Sequence, residues 1–200
     1  KNRKLLSLFM VNTSGPDECL GCLYLHRMTF LEILLISLPI SILGFIFEAY
    51  PRLINRSFGV DIWTHLLYLN EFKKQKGIPR EIENGFLVKG KYDYPPAFIL
   101  IMSRFPQKIV ERYEFLFSPF FDSVHIILVF FISYFLTGDL FVSIIAQVIY
   151  ILTPIIILEN SSATPRSLGY TLFTLVFLFL FLNQENSNNF FVLLAIFFGS

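Results

Sequence analysis

Residues 140–158 read LFVSIIAQVIYILTPIIIL, an unbroken run without one charged side chain. A helix of about 20 such residues crosses ~30 Å of hydrocarbon, and it satisfies every backbone N–H and C=O internally, as a segment in lipid must. The run predicts a transmembrane helix. Working outward, residues 168–182 are almost pure Leu, Phe, Val and Thr. Residues 124–136 form a dense apolar core that reaches span length only by extending back through Ser118-Pro119-Phe120-Phe121-Asp122. Residues 30–47 are apolar apart from Glu32 and Pro39, a kink that membrane helices tolerate when neighbours re-satisfy the freed carbonyl. A further apolar run opens at Phe190. The fold class expected is all-α, a polytopic transmembrane helical bundle.

Composition agrees. Of 200 residues, 54% are hydrophobic and 16% charged, with 25 phenylalanines, and the mean hydropathy is +0.62. Soluble domains run nearer ~45–50% apolar and ~25% charged. Sixteen Lys+Arg against fifteen Asp+Glu give a net charge of +1, which offers a nucleic acid no electrostatic footprint. Membrane lipids are the expected surroundings. Cys19 and Cys22 make one C-x-x-C without the second ligand pair of a zinc site, so they read as two small apolar residues. Since the sequence starts at Lys1 and stops inside the run opened at Phe190, the expectation is an N-terminal fragment, with a truncated membrane domain over 30–200.

The connections 137–139 and 183–189 are short, so consecutive helices should be antiparallel neighbours. The exception is the stretch of about 48–117, which holds eleven Lys+Arg and eight Asp+Glu. Lys1, Arg3, Lys4 and Arg27 precede the first span. The positive-inside rule puts such a segment, residues 1–29, in the cytoplasm and the long loop outside. A secretory signal is not expected, because the apolar run begins too late and no small-residue cleavage site follows it. The protein reads as integral and multi-pass, in a plasma or ER-type membrane. Residues 159–165 and Arg166 then share the outer face with the long loop.

Within that loop, Ile62, Leu66, Leu69 and Phe72 fall at helical spacing, with Asp61 placed to cap the start and Gly77 and Pro79 to stop it. An amphipathic surface helix is expected, with Trp63 and Tyr68 at the interface and Lys73, Lys74 and Lys76 towards lipid phosphates. Asp61 and His65, four apart, share one helix face, where a carboxylate and an imidazole can accept a proton or hold a cation. As plain structure they are a cap and an interfacial histidine. Asn84-Gly85 favours a hairpin turn. Tyr94-Pro95-Pro96 leads into a second short helix that dips into or along the bilayer. Asp122 and His125 read first as a cap and a bundle-facing residue. Asn-x-Ser sequons stand at Asn12, Asn55 and Asn160, and none is placed as a confident glycan site.

The order of these parts resembles the N-terminal half of GT-C integral membrane glycosyltransferases, the superfamily of oligosaccharyltransferase catalytic subunits and protein mannosyltransferases. The likeness lies in Gly59-Val60-Asp61 with His65, Lys76-Gly77-Ile78-Pro79, Tyr94-Pro95-Pro96 and Thr164-Pro165-Arg166-Ser167-Leu168-Gly169. It implies transfer of a sugar from a lipid-linked donor, a polyprenyl phosphate or diphosphate, to an acceptor at the extracytoplasmic face. The family's outer-loop acid, catalytic or metal-binding, matches Asp61. His65 would orient it or share a divalent cation such as Mg or Mn. The family's second acidic motif corresponds to Glu159-Asn160-Ser161, which holds one carboxylate only. This departure bears on metal use and argues against an oligosaccharyltransferase proper. A departing lipid phosphate needs positive charge, for which the guanidinium fork of Arg166 is suited. As plain structure, Arg166 is a helix-end arginine snorkelling to the interface. Two other classes stay open: a multi-pass transporter or lipid flippase, and a non-catalytic assembly subunit.

Overall fold

A computed structural model describes residues 29–56, 58–59, 61–78, 81–82, 90–91, 96–162, 164–186 and 192–194. Cys19, Cys22, the sequon at Asn12, and Tyr94-Pro95 lie outside the described residues. Helix α1, Phe30–Ile54, opens on a capping box. The Thr29 N–H donates to Glu32 Oε2 at 2.7 Å while Thr29 Oγ1 accepts from the Glu32 N–H. Glu32 is thus the start signal of the span and no charge inside it.

α1 runs through Pro39 and continues past the expected end at Phe47 to Ile54. What extends it is the partnering of Glu48 and Arg52, both buried. Its inner stripe is Ile33, Ser37, Ser41, Gly44, Glu48, Ala49 and Arg52, small or polar at most positions. Leu35, Leu38, Ile42 and Ile46 are exposed. A soluble helix buries the opposite face, whereas helices in lipid meet through small and polar residues. At Gly44 an added Cβ would collide with Ile126 Cδ1 and press on Ile151, so this glycine sets how closely neighbouring helices approach.

Helix α2, Asp61–Gln75, follows, and then Glu81–Ile82 pairs antiparallel with Gly90–Lys91, while the turn expected at Asn84-Gly85 lies outside the described residues. Short helices α3, Ala97–Ser103, and α4, Gln107–Tyr113, lead through a 3-10 turn at Glu114–Leu116 into α5, Phe117–Thr137. Ile62, Leu66 and Leu69 are buried as their spacing predicts, with Phe98, Ile99, Met102, Val110 and Leu168. Tyr68, expected at the interface, belongs to this core, and Trp63 is exposed. The segment between α1 and α5 therefore folds into its own small core, joined to the bundle through Leu168.

Gly138, at φ +69°, ends α5, and Asp139 Oδ1 accepts the Phe141 N–H at 2.7 Å to start α6, Leu140–Ile151. The expected continuous span 140–158 is a bent pair. α6 and α7, Pro154–Ser161, meet at 57°. Pro154 has no N–H and pushes Thr153 into extended backbone, φ −75° and ψ 109°. α8, Arg166–Asn186, follows. Among the described residues, three helical stretches are long and apolar enough to cross a membrane, and the bent pair brings the number to four if it counts as one crossing.

One ion pair joins α1 to the layer across its end. Arg52 Nη2 bonds Glu114 Oε1 at 2.9 Å, with side chains 0% and 2% exposed. Arg52→Met alone leaves a buried carboxylate unpaired and should lower stability by about 3–5 kcal/mol, whereas Arg52→Met with Glu114→Leu should recover much of that loss. Thermal unfolding in detergent of the two single variants and the double variant measures this.

Candidate functional site

Arg52 also donates from Nη1 to the carbonyls of Phe58 and Gly59, so it fixes the chain that returns from α1 toward α2. Gly59 sits at φ +83°, and a Cβ there would stand 2.6 Å from both Cα and Cβ of Ser162. Only glycine fits this approach and this backbone region. The contact presses the entry to α2 against the end of α7. Asp61, two residues on, is the first residue of α2 and so occupies the opening turn, one place beyond the cap position expected. Its side chain lies outside the described residues.

The same junction carries two of the other expected site residues. Arg166 opens α8, and its Nη1 bonds Glu159 Oε1 at 2.7 Å, with side chains 52% and 27% exposed. The pair is open to the surroundings, and a guanidinium has five donors, of which this contact uses one. His65 stands elsewhere on α2. It is 2% exposed, with the rings of Tyr68 and Phe98 edge-on at 6.2 and 5.8 Å. The structure therefore brings Glu159 and Arg166 together, sets the backbone of Asp61 two residues from the Gly59–Ser162 contact, and packs His65 into the small core.

Among the described residues, no group of three or more His, Cys, Asp or Glu side chains could hold a metal ion. An apolar groove of about 440 Å³ runs between the short helices and the spans, lined by Phe45, Ile101, Phe105, Ile109, Phe117 and Phe120 among others.

A second polar cluster was not legible as a site. Asp122, expected as a cap, is fully buried inside α5, where its Oδ1 accepts the Tyr150 hydroxyl at 2.7 Å. A carboxylate inside a bundle has to find such a donor, and this one came from a different helix. Asn160 is no glycan site in this fold, since it is 2% exposed and donates to Glu48 Oε1 at 3.1 Å. Glu48 lies six residues before the end of α1 at Ile54, past the expected end of the span at Phe47.

No protein-family model, curated protein or solved structure matches this chain. The geometry alone therefore carries the functional reading. Gly59→Ala should destabilise the protein by more than about 1–2 kcal/mol, the cost of the left-handed region alone, because the clash with Ser162 adds to it. Gly77→Ala, where a Cβ meets nothing within 4 Å, serves as the near-neutral control. Thermal midpoints in the same detergent compare the two.

Proposed function

We propose that this protein is a membrane glycosyltransferase of the GT-C kind, moving a sugar from a polyprenyl-phosphate-linked donor to an acceptor hydroxyl at the extracytoplasmic face. The supporting observation is the Gly59–Ser162 contact. It puts the first turn of α2, with Asp61, at the same end of the bundle as the Glu159–Arg166 pair.

In this reading Asp61 takes the proton of the attacking hydroxyl as the new bond forms at the anomeric carbon. The bond to the lipid phosphate breaks, and Arg166 stabilises the charge that appears on the departing oxygen. Glu159 holds the guanidinium in position until the phosphate arrives. His65, buried one turn beyond Asp61, is a positioning residue that fixes the rotation of α2. No step in this reading runs through a divalent cation such as Mg or Mn: Glu159 is paired with Arg166, and the described residues bring together no set of three ligands for one. The groove beside α3 and α4 has the apolar lining that a prenyl chain requires. The N-terminal segment lies in the cytoplasm and the α2–α4 layer outside.

One observation favours a second reading as a transporter or flippase. With a rise of ~1.5 Å per residue, α6 ends about 18 Å along its axis, so the break at Thr153-Pro154 falls within the ~30 Å hydrocarbon. Broken helices at such depth serve substrate or ion sites in transporters.

Sugar transfer from a lipid-linked donor, assayed in proteoliposomes, should be lost in Asp61→Asn while chromatographic behaviour is retained. Arg166→Lys should lower kcat more than it raises KM for the donor, since the charge it faces develops as the bond breaks. Full transfer activity in Asp61→Asn would reject that residue as the base, and substrate passage across the bilayer unaffected by it would favour the transporter. In variants with Cys19 and Cys22 replaced by Ser, single cysteines from Asp61→Cys and Arg166→Cys should both label with an impermeant maleimide from the outer side only. Labelling from opposite sides removes the proposed site.

A further inference from the structure

The buried polar cluster is used by neither reading, and its hydrogen bonds can be counted donor by donor. Tyr150 spends its one proton on Asp122 Oδ1, at 2.7 Å. Its oxygen must then accept from His125 Nδ1, 2.8 Å away. That fixes the imidazole as a donor at Nδ1, and Nε2 meets the Thr174 hydroxyl at 2.9 Å. On the other side, Asn160 donates to Glu48 Oε1 at 3.1 Å; Glu48 stands on α1 between Ser41, which bonds the Ser123 carbonyl, and Arg52, which bonds Glu114, so it faces the stretch of α5 that carries Asp122. The remaining oxygens, Glu48 Oε2, Asp122 Oδ2 and Asn160 Oδ1, are buried and receive no donor from the described residues.

Ionised carboxylates only accept hydrogen bonds, so two of them cannot bond to each other. Something positive has to stand between them. We propose that Glu48 and Asp122 form an intramembrane proton-binding site, holding one exchangeable proton between Glu48 Oε2 and Asp122 Oδ2 and connected through Tyr150 and His125 to Thr174 on α8.

The surrounding charges leave this role to a proton. Arg52, one turn along α1, is committed to Glu114. Glu159, next to Asn160 on α7, is committed to Arg166 at the surface. Tyr170 on α8 faces the His125 ring at 6.4 Å. Among the described residues the one basic side chain paired with either acid is His125, 3.8 Å from Asp122 Oδ1. A second unopposed negative charge at this position has no partner, and burying one in a membrane bundle is expensive.

Infrared spectroscopy of the full chain in lipid nanodiscs tests the proposal, whichever functional reading holds. At neutral pH we expect the carbonyl stretch of a protonated carboxylic acid, downshifted in D2O and identical in sodium and choline chloride. It should be lost in the double variant Glu48→Gln with Asp122→Asn. Both changes keep the side-chain shape and supply an amide donor, and chromatography reports folding. Tyr150→Phe, which leaves both acids in place, should shift the band by removing one hydrogen bond to the pair, so the test stands even if the double variant fails to fold. No band in the native protein, a band unchanged in the double variant or unmoved in Tyr150→Phe, or a band that disappears on adding Na⁺ or Mg²⁺ overturns the proposal, the last by making the site one for a metal ion.

Discussion

Arg52 decides how the first membrane helix hands the chain to the layer across its end. Its guanidinium meets Glu114, ahead of α5, and at the same time the carbonyls of Phe58 and Gly59. A charge buried this completely is tolerated only when its partners are already in place. The interaction therefore ties three things together: the length of α1, the position of the turn before α5, and the path of residues 55–59. That path carries Gly59 to Ser162, and with it the opening of α2 to the α7–α8 junction. Arg56, whose Nη2 donates to the Arg112 carbonyl at 2.7 Å, adds a second, exposed tie to the same path.

Much of this architecture could be read from residue patterns. The spacing of Ile62, Leu66 and Leu69 gave the buried face of α2, and the need for length carried the second span back from residue 124 to Ser118, one residue from the observed start at Phe117. The compact turn at Gly138-Asp139 gave antiparallel neighbours. Each of these rests on local periodicity or on the thickness of a bilayer, which a single sequence contains. What was not legible depends on partners distant in sequence. Glu48 and Arg52 looked like the start of a polar loop because their partners, Asn160 and Glu114, lie 112 and 62 positions away. Tyr68 looked interfacial by residue type, yet the small core formed by α3 and α4 buries it. Pro154 was visible, but a run without charge reads as one span whether or not the chain turns there, and the 57° bend at Thr153-Pro154 is seen only in the structure.

The candidate site divides along the same line. Glu159 and Arg166 are seven apart, across a short turn, and the structure pairs them. His65 shares a helix with Asp61, but its ring is taken up by Tyr68 and Phe98, so a common face on a wheel diagram does not make a common environment. The Asp122 network was out of reach, because its members come from separate helices.

The link between α5 and α6 bears on how the chain enters the bilayer. Gly138 and Asp139 are all that separates the two helices, so a bilayer that takes up one takes up the other with it. Within that hairpin Tyr150 already donates to Asp122, and the Gln147 amide already donates to the Ile126 carbonyl at 3.0 Å. The least lipid-compatible groups of both helices thus find each other inside a single insertion unit, before α1 or α8 need be present, and the cost of bringing them out of water is reduced at the step where the nascent chain is most exposed.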